Sequence, residues 1–334
     1  MPRILLRADG SESIGLGHLV RSMVLARALS DLGALVQVWG HSAERARSLL
    51  KSTPPVVVRE LPEATGGSAQ VVEIVQFQPD LVLVDGYHFQ PDFFAALDAA
   101  RISYGVIDDN GETNALNPRV LINYSLGADG LGYRERFPDS LALLGSSYFI
   151  LRDELRHLIG SSEKQEASVV VSLGGSARVQ LLRTVLLSIP EKFSQVVCAP
   201  GTSRELESLK EITASEPYSC KAVSPADFIT ALSKSKYAIV AGGNSLWEAL
   251  VLKNSVFAMV IAENQLPPVL AAFEAGYLAG WCDMRHPGSA IGLKSQLTAS
   301  FNEDRLRATP QIPMDGAQQI ASEIVAGSFL DNSD

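Results

Sequence analysis

The chain has 334 residues, 46% of them hydrophobic and 19% charged, which predicts two globular domains with a core each. The formal net charge of −9 disfavours nucleic acid as a partner, and no apolar run is long enough to predict a membrane span. Because the first residues predict a strand rather than a cleavable signal, and the three cysteines lack zinc-site spacing, we expect a cytoplasmic protein.

The first predicted unit is a strand, a glycine loop and a helix. The apolar run at 4–6 predicts the strand, Gly15 and Gly17 lie in the loop, and from His18 onward the apolar residues follow helical spacing. Free backbone N–H groups at such a helix start favour binding of an anion. His18 stands at this start, and Arg21, three residues later, shares its face of the helix.

A histidine at this position has more than one interpretation. The unperturbed pKa of histidine lies close to neutral, so His18 suits a general base in a cleft. Alternatively, His18 caps the helix or packs on the loop, and the loop binds phosphate without it. In either case we expect the positive end of the helix dipole to lower the pKa of His18 and keep the imidazole neutral.

The rest of the first half alternates strands and helices. Strands are predicted at 35–39, 56–58, 81–84, 104–107 and 121–124, and helices at 43–50, 69–76, 93–100 and 152–159. Polar residues follow the fourth and fifth strands: Asp85, Tyr87, His88, Asp108 and Asp109. Open α/β sheets bind ligands at the carboxyl ends of their strands, so we expect these side chains to line the same crevice as His18. Capping or turn chemistry is the alternative for Asp85 and Asp108.

The second half repeats this pattern after a polar linker at 160–167, which predicts domains at 1–160 and 166–330. Strands are predicted at 168–173, 196–198, 237–240 and 256–260, and helices at 179–187, from 204, at 225–233, after 243, up to 275 and at 316–326. Two strand-to-helix loops carry candidate binding residues: Gly174, Gly175 and Ser176 in the first, and Gly243, Asn244 and Ser245 in the second. Glu248 lies one helical turn beyond the second loop, and Asn264 and Gln265 follow the next strand.

Two glycine loops at helix starts indicate a diphosphate, which backbone N–H groups hold without a cation. Neither loop has the lysine and hydroxyl pair of a P-loop or the spacing of a nicotinamide site, so we expect no cofactor. Glu248 offers two acceptor oxygens to a ribose, although a solvated helix residue is the alternative. Adjacent side chains on an extended segment point apart, so Asp108 and Asp109 predict no metal site.

Two α/β domains, with a nucleotide in the second and a histidine facing it across a cleft, describe the two-domain (GT-B-like) nucleotide-sugar glycosyltransferases. Within this class, the sequence resembles the UDP-sugar hydrolases of the pseudaminic acid pathway and the related spore-coat polysaccharide proteins. The resemblance covers most of the chain, through IGLGHLVR (14–21), VDGY (84–87), VIDD (106–109), LLGSSYFILRDEL (143–155), VSLGGS (171–176), AGGNSLWEAL (241–250) and AENQ (262–265).

The resemblance implies two Rossmann-like domains facing across a cleft, and metal-independent hydrolysis of UDP-2,4-diacetamido-2,4,6-trideoxy-β-L-altropyranose. Water would attack the anomeric carbon with inversion, releasing UDP and the free sugar. The family histidine falls on His18 and the family tyrosine on Tyr87, which we take as catalytic. The nucleotide-binding block falls on 243–248 with Asn264 and Gln265. Further substrate contacts are expected from Gly15, Gly17, Arg21, Asp85, His88, Gly174, Gly175 and Ser176.

Two departures from the family pattern leave other functions open. The chain has Asp85-Gly86-Tyr87 where the family usually has Asp-His-Tyr, and its nearby histidine is His88. It has Gly243-Asn244-Ser245 where many members have Gly-Gly-Ser/Thr. One alternative is an inverting glycosyltransferase of the same fold that uses a nucleotide sugar for a surface polysaccharide, with His18 deprotonating an acceptor hydroxyl. The other is a nucleotide-sugar-binding protein without activity.

Overall fold

The computed structural model describes residues 1–10, 16–47, 56–62, 67–160, 163–174, 179–200, 208–209, 211–212, 216, 218–286, 288–302 and 308–327. These residues divide into two compact units. The first extends to Arg152 and includes the segment that begins at Ile312, and the second is Asp153–Gln311. None of the helices in the described ranges is long and apolar enough to cross a membrane.

The first unit is built on a seven-stranded sheet whose strands are all parallel. Its strands are β1 (Arg3–Ala8), β2 (Leu35–Gly40), β3 (Val57–Glu60), β4 (Leu81–Asp85), β5 (Tyr104–Ile107), β6 (Val120–Asn123) and β7 (Leu141–Leu144). The spatial order β3-β2-β1-β4-β5-β6-β7 reverses direction between β1 and β4. In open α/β sheets such a switch point is where ligands bind, beyond the carboxyl ends of the strands.

Helices cover both faces of this sheet. They are α1 (Gly17–Asp31), α2 (Ala43–Arg47), α3 (Ala69–Phe77), α4 (Pro91–Ala99) and α5 (Tyr133–Arg136). One face packs on α3 and α4 in a core that includes Leu5, Val82 and Phe93. With both faces covered, the inner strands carry continuous apolar runs instead of alternating ones.

The second unit contains a six-stranded parallel sheet with the order β10-β9-β8-β11-β12-β13. Its strands are β8 (Gln165–Ser172), β9 (Gln195–Cys198), β10 (Ser219–Ala222), β11 (Ser235–Ala241), β12 (Ser255–Val260) and β13 (Gly280–Asp283). Its helices are α6 (Glu154–Leu158), α7 (Val179–Leu187), α8 (Phe228–Lys234), α9 (Asn244–Val251), α10 (Leu266–Glu274) and α11 (Leu293–Asn302). The two sheets confirm the predicted fold of two parallel-sheet α/β domains.

The last helix, α12 (Gly316–Ala326), packs on α1 and therefore belongs to the first unit. Its start fits tightly against the turn at Phe149, because a Cβ at residue 316 would lie 2.6 Å from the Phe149 nitrogen. The sequence pattern had grouped this helix with 166–330. With α12 on one side and the sheet on the other, α1 is buried nearly all round from residue 18 to 26.

The structure also contains elements that the sequence pattern did not predict, namely β7, β10, β13, α5 and α11. Two of these, β10 and β13, are edge strands of four residues with few apolar side chains, so their periodicity is weak. The predicted helix from 204 begins outside the described residues, and so does the end of the predicted helix at 43–50.

Truncating Ile320 tests the docking of α12 on the first unit. The side chain is fully buried, so Ile320→Ala should lower the free energy of unfolding by about 2–5 kcal/mol, the usual cost of such a cavity. Hydrogen exchange should accelerate in α1 and β1, whereas β11 and β12 keep their protection. The exposed Glu323→Ala serves as the control, and faster exchange spread equally over both units would contradict the assignment.

Candidate active site

His18 is the second residue of α1 and lies at the carboxyl edge of the first sheet. The residue is only 9% exposed, and its ring contacts the ring of Tyr87 edge to face, with centroids 5.1 Å apart. No described residue forms a hydrogen bond with His18 Nδ1, although this atom is buried. Burial lowers the pKa of His18, opposed by the negative charge of Asp85. The imidazole is therefore neutral near pH 7, as expected, but burial is the main cause.

Arg21 lies one helical turn after His18 and is fully engaged by acidic and phenolic oxygens. Its Nε and Nη2 donate to the two oxygens of Asp85, at 2.6 and 2.5 Å. Its Nη1 donates to Asp109 and to the Tyr124 hydroxyl, both at 2.7 Å, and Nη2 also reaches Asp109 at 3.2 Å. These bonds account for all five N–H groups of the guanidinium. Arg21 therefore has no N–H group left for the expected contact with substrate. Its side chain instead positions Asp85, Asp109 and Tyr124.

Three neighbouring strands supply those partners. Asp85 ends β4, Asp109 follows β5 and Tyr124 follows β6, so the guanidinium joins α1 to three adjacent carboxyl ends. Burial alone would raise the pKa of Asp109, but the charge of Arg21 and the hydrogen bonds from Arg21 and Tyr87 together outweigh it, and the net pKa is lowered. The pKa of Arg21 is raised well above its ordinary value by the two carboxylates, against the effect of burial.

Tyr87 connects His18 to this ion-pair network. Its hydroxyl donates a hydrogen bond to Asp109, while its ring packs against His18. About 43% of the residue remains exposed, in contrast to the buried His18 and Asp85. The structure thus brings together four of the residues that the sequence predicted for one crevice: His18, Asp85, Tyr87 and Asp109.

His88 belongs to a second cluster at the same edge, centred on Asp9. The carboxylate of Asp9 accepts two hydrogen bonds from Arg7, at 2.6 and 2.8 Å, and one from the backbone N–H of His41 at 2.7 Å. His88 Nε2 lies 2.7 Å from Asp9 Oδ2, although the ring N–H is not aligned on that oxygen. Burial would raise the pKa of Asp9, but its contacts with His88 and Arg7 lower it strongly, so the carboxylate stays ionised.

Asp108 does not join either cluster, which corrects the expectation that it lines the crevice with His18. Its carboxylate accepts a hydrogen bond from the Tyr133 hydroxyl at 2.8 Å and from the backbone of Thr113 at 3.3 Å. Burial raises the pKa of this carboxyl group, against the effect of the Tyr133 hydrogen bond. The alternative of turn chemistry therefore describes Asp108, and the neighbouring side chains of Asp108 and Asp109 point apart as expected.

Sequence reasoning missed Asp9, Arg7 and Tyr124. Asp9 and Tyr124 directly follow β1 and β6, so the rule that selected Asp85 and Asp109 would also have found them. Arg7 gave no such signal, because a charged residue inside an apolar strand is normally read as an interruption rather than as a fully buried ion-pair partner.

In the second unit, the predicted nucleotide-binding residues lie around the starts of α9 and α10. Gly243 precedes α9, and Glu248 within this helix is only 2% exposed, so the alternative of a solvated helix residue is wrong. Gln265 accepts a hydrogen bond from the backbone of Ile261 at 3.0 Å through its side-chain oxygen, and Asn264 is half-buried.

The remaining predicted loop residues are only partly described. Gly174 follows β8 with φ +81°, a conformation that favours glycine, and Gly17 begins α1. Asn244 and Ser245 form the first turn of α9 and are half-buried. Gly15, Gly175 and Ser176 lie outside the described residues. Within the described ranges, no group of three or more acidic, histidine or cysteine side chains is arranged to hold a metal ion.

Comparison with known proteins identifies the fold class. No protein-family model matches the chain. The UDP-2,4-diacetamido-2,4,6-trideoxy-β-L-altropyranose hydrolase of Campylobacter jejuni is 20% identical over 277 residues, covering 82% of this chain and 97% of the relative. The UDP-GlcNAc 2-epimerase of Methanocaldococcus jannaschii, solved with UDP-GlcNAc and UDP, superposes with a TM-score of 0.65 at 13% identity, covering 97% of this chain and all (100%) of that one.

A glycosyltransferase of Rickettsia africae superposes with a TM-score of 0.57 at 12% identity, covering 99% of each chain. These likenesses extend over nearly the whole chain and show that it has the two-domain GT-B-like fold. At such low identity they identify the architecture, so the chemistry has to be argued from the side chains.

The buried His18 should make the stability of the protein depend on pH. Its folded pKa lies below the unfolded value of about 6.5, so the unfolded state takes up a proton first as the pH falls. Stability should decline between about pH 6.5 and 5, by up to about 1.4 kcal/mol per pH unit for one proton. In His18→Asn this slope should shrink, measured by urea unfolding at each pH. Replacement of the exposed His157 by Asn should leave the pH dependence of stability as in the wild type. Equal slopes in His18→Asn and His157→Asn would show that other groups cause this pH dependence.

Proposed function

We propose that this protein hydrolyses a UDP-linked diacetamido-trideoxy sugar at its anomeric carbon, releasing UDP and the free sugar. The support comes from the Campylobacter jejuni hydrolase, which aligns over most of both chains, and from the GT-B-like fold. The motifs IGLGHLVR and AGGNSLWEAL and the segment ENQ carry the resemblance in sequence. We also propose that the domains correspond to the two compact units, so that the predicted boundary at 160–166 moves to 152–153 and the final helix joins the first domain.

The observation that carries the proposal is the buried, neutral imidazole of His18, whose Nδ1 has no hydrogen-bond partner among the described residues. A buried imidazole nitrogen without a protein partner costs free energy unless another group satisfies it. His18 Nδ1 is such an atom among the described residues, and burial keeps the ring neutral by lowering its pKa. A neutral imidazole whose nitrogen has no partner among the described residues accepts a proton from a water molecule bound beside it, which is the role of a general base.

In the proposed mechanism, His18 orients a water molecule and takes its proton as the oxygen attacks the anomeric carbon. Tyr87 contacts the sugar beside His18 while its hydroxyl is anchored on Asp109. Arg21 and Asp85 act as positioning residues, because they fix the start of α1 relative to the strands. The departing UDP is stabilised by the helix start that follows Gly243 and by the loop at Gly174, without a metal ion.

A glycosyltransferase is the second candidate function. The Rickettsia africae glycosyltransferase shares the fold over nearly its whole length, and the change to Gly243-Asn244-Ser245 departs from the hydrolase pattern. In that case His18 would deprotonate an acceptor hydroxyl instead of water. The chemistry at His18 is the same in both reactions, so the nucleophile has to be identified by experiment.

Turnover of candidate UDP-sugars in the presence of EDTA distinguishes these functions. Release of UDP without an acceptor supports the hydrolase, and release only after an acceptor sugar is added supports the transferase. Binding without turnover supports a nucleotide-sugar-binding protein. Activity that EDTA abolishes and Mg²⁺ or Mn²⁺ restores would contradict the metal-independent mechanism.

Replacing His18 tests the catalytic assignment. His18→Asn keeps a polar side chain of smaller size, so the affinity for UDP should be nearly unchanged. Turnover of the UDP-sugar should fall by about 10²-fold or more, the scale of a lost general base. His157→Asn is the matched control, since that histidine is exposed. Activity of His18→Asn within a few-fold of the wild type would assign His18 to capping and turn attention to Tyr87 and His88.

Replacing Glu248 tests the nucleotide site. Glu248→Gln keeps the size of this buried side chain but removes its charge, and so weakens its acceptance of hydrogen bonds from the ribose hydroxyls. UDP affinity, measured by calorimetry, should fall by about 1–3 kcal/mol, the range for losing a hydrogen bond to a charged group. The exposed Glu274→Gln on α10 is the control. Equal affinities in the two variants would remove Glu248 from the nucleotide site.

A further inference from the structure

We propose that His88 contacts the sugar directly and contributes to its recognition. Its Nδ1 accepts a hydrogen bond from an O–H or amide N–H donor of the substrate. Asp9 is the positioning residue that holds His88 in the tautomer this requires. The proposal rests on the proposed function in that the sugar is nucleotide-linked. It adds the residue and the atom that select for a donor group on the sugar.

The first step of the argument is the tautomer of His88. Its Nε2 is the buried ring nitrogen and lies 2.7 Å from Asp9 Oδ2. Asp9 cannot relieve this contact by taking a proton, because Arg7 and the His41 backbone hold it as an anion. A carboxylate beside one imidazole nitrogen favours the proton on that nitrogen. The geometry therefore places a ring proton on Nε2, and in the singly protonated ring the lone pair lies on Nδ1.

The second step is the space beside Nδ1. A Cβ built on residue 86 would lie 3.0 Å from His88 Cε1 and 3.1 Å from Nδ1, closer than side chains normally pack. Gly86 also has φ +151°, where other residues are strained. With glycine at residue 86, no side chain occupies the space beside the Nδ1 edge of the ring, and 36% of the His88 side chain is exposed. This opening adjoins Tyr87 in the chain, at the switch point of the sheet.

The third step is the rigidity of the ring. His88 packs on Phe89, with ring centroids 4.1 Å apart. The guanidinium of Arg7 lies over the same Phe89 ring, 5.0 Å from its centroid. Arg7 itself is fully buried and is held by Gln70 at 2.9 Å. Because the His88 ring is held against a buried ion pair, its Nδ1 keeps one orientation, as a contact that determines substrate specificity requires. The titratable and charged groups around it are the ion pair of Asp9 and Arg7 and, further away, the neutral His18.

A purely structural role for His88 would need only the Nε2 contact with Asp9, and two variants separate the roles. In His88→Asn the amide occupies the position of Nδ1, so it retains an acceptor there. In His88→Gln the amide occupies the position of Nε2, so it keeps a donor to Asp9 but loses the acceptor.

Steady-state kinetics on UDP-2,4-diacetamido-2,4,6-trideoxy-β-L-altropyranose provides the first test. His88→Gln should raise KM about tenfold, the effect of one lost hydrogen bond, with kcat reduced much less and UDP affinity retained. His88→Asn should recover most of that loss in KM. Equal KM values for the two variants, or a larger defect in His88→Asn, would overturn the proposal. His157→Gln controls for the loss of an exposed histidine.

Nitrogen NMR of the histidine rings provides a test that does not depend on activity. The chain has five histidines, and the signals of His88 are those lost in His88→Asn. We expect the Nε2–H tautomer; an Nδ1–H tautomer would overturn the proposal. Wild-type protein that releases no UDP would refute the proposed function, whereas active wild-type protein with an unchanged KM in His88→Gln would refute only the role of His88.

Discussion

The buried guanidinium of Arg21 is the interaction on which the candidate site depends. A charge in this position is tolerated only when opposite charges and hydrogen-bond acceptors compensate it fully. Asp85, Asp109 and Tyr124 provide that compensation from three adjacent strands, and all five N–H groups are satisfied. The start of α1, which carries His18, is thereby fixed at the carboxyl edge of the sheet. Removing one partner would leave an unpaired charge in the interior rather than merely weaken a contact.

The same edge holds ionisable groups in different protonation states. His18 is kept neutral because burial disfavours the imidazolium. The pKa of Asp9 is lowered by its contacts with His88 and Arg7, and that of Asp109 mainly by Arg21, so both carboxylates stay ionised despite their burial. A neutral base surrounded by permanently charged carboxylates is a combination that acid–base enzymes use, since each group keeps its role over a broad pH range. Asp109 holds Tyr87 through its hydroxyl, and Asp9 holds His88 through Nε2. Both aromatic side chains are more exposed than the carboxylates that hold them.

The fold by itself leaves the reaction undecided. An epimerase and a glycosyltransferase superpose on nearly the whole chain at 13% and 12% identity, so one architecture carries different chemistries. Ligands of open α/β sheets bind beyond the carboxyl ends of the strands, so the chemistry is decided by the side chains that follow them. In this chain Gly86 and His88 follow β4, and the absence of a side chain at residue 86 provides space beside the His88 ring.

The sequence alone determined the alternation of strands and helices, the two parallel sheets and the edge at which polar residues collect, because apolar periodicity and glycine loops are local signals. Only the tertiary structure decided which of those polar residues meet. Asp9 joins His88 because β1 lies beside β4, and Asp108 turns away from its neighbour Asp109 because Tyr133 and Thr113 offer it hydrogen bonds. The burial of Glu248 and the docking of α12 on α1 were likewise decided by packing between distant segments. Partner choice and desolvation depend on strand order and on neighbours far along the chain, which local patterns do not encode.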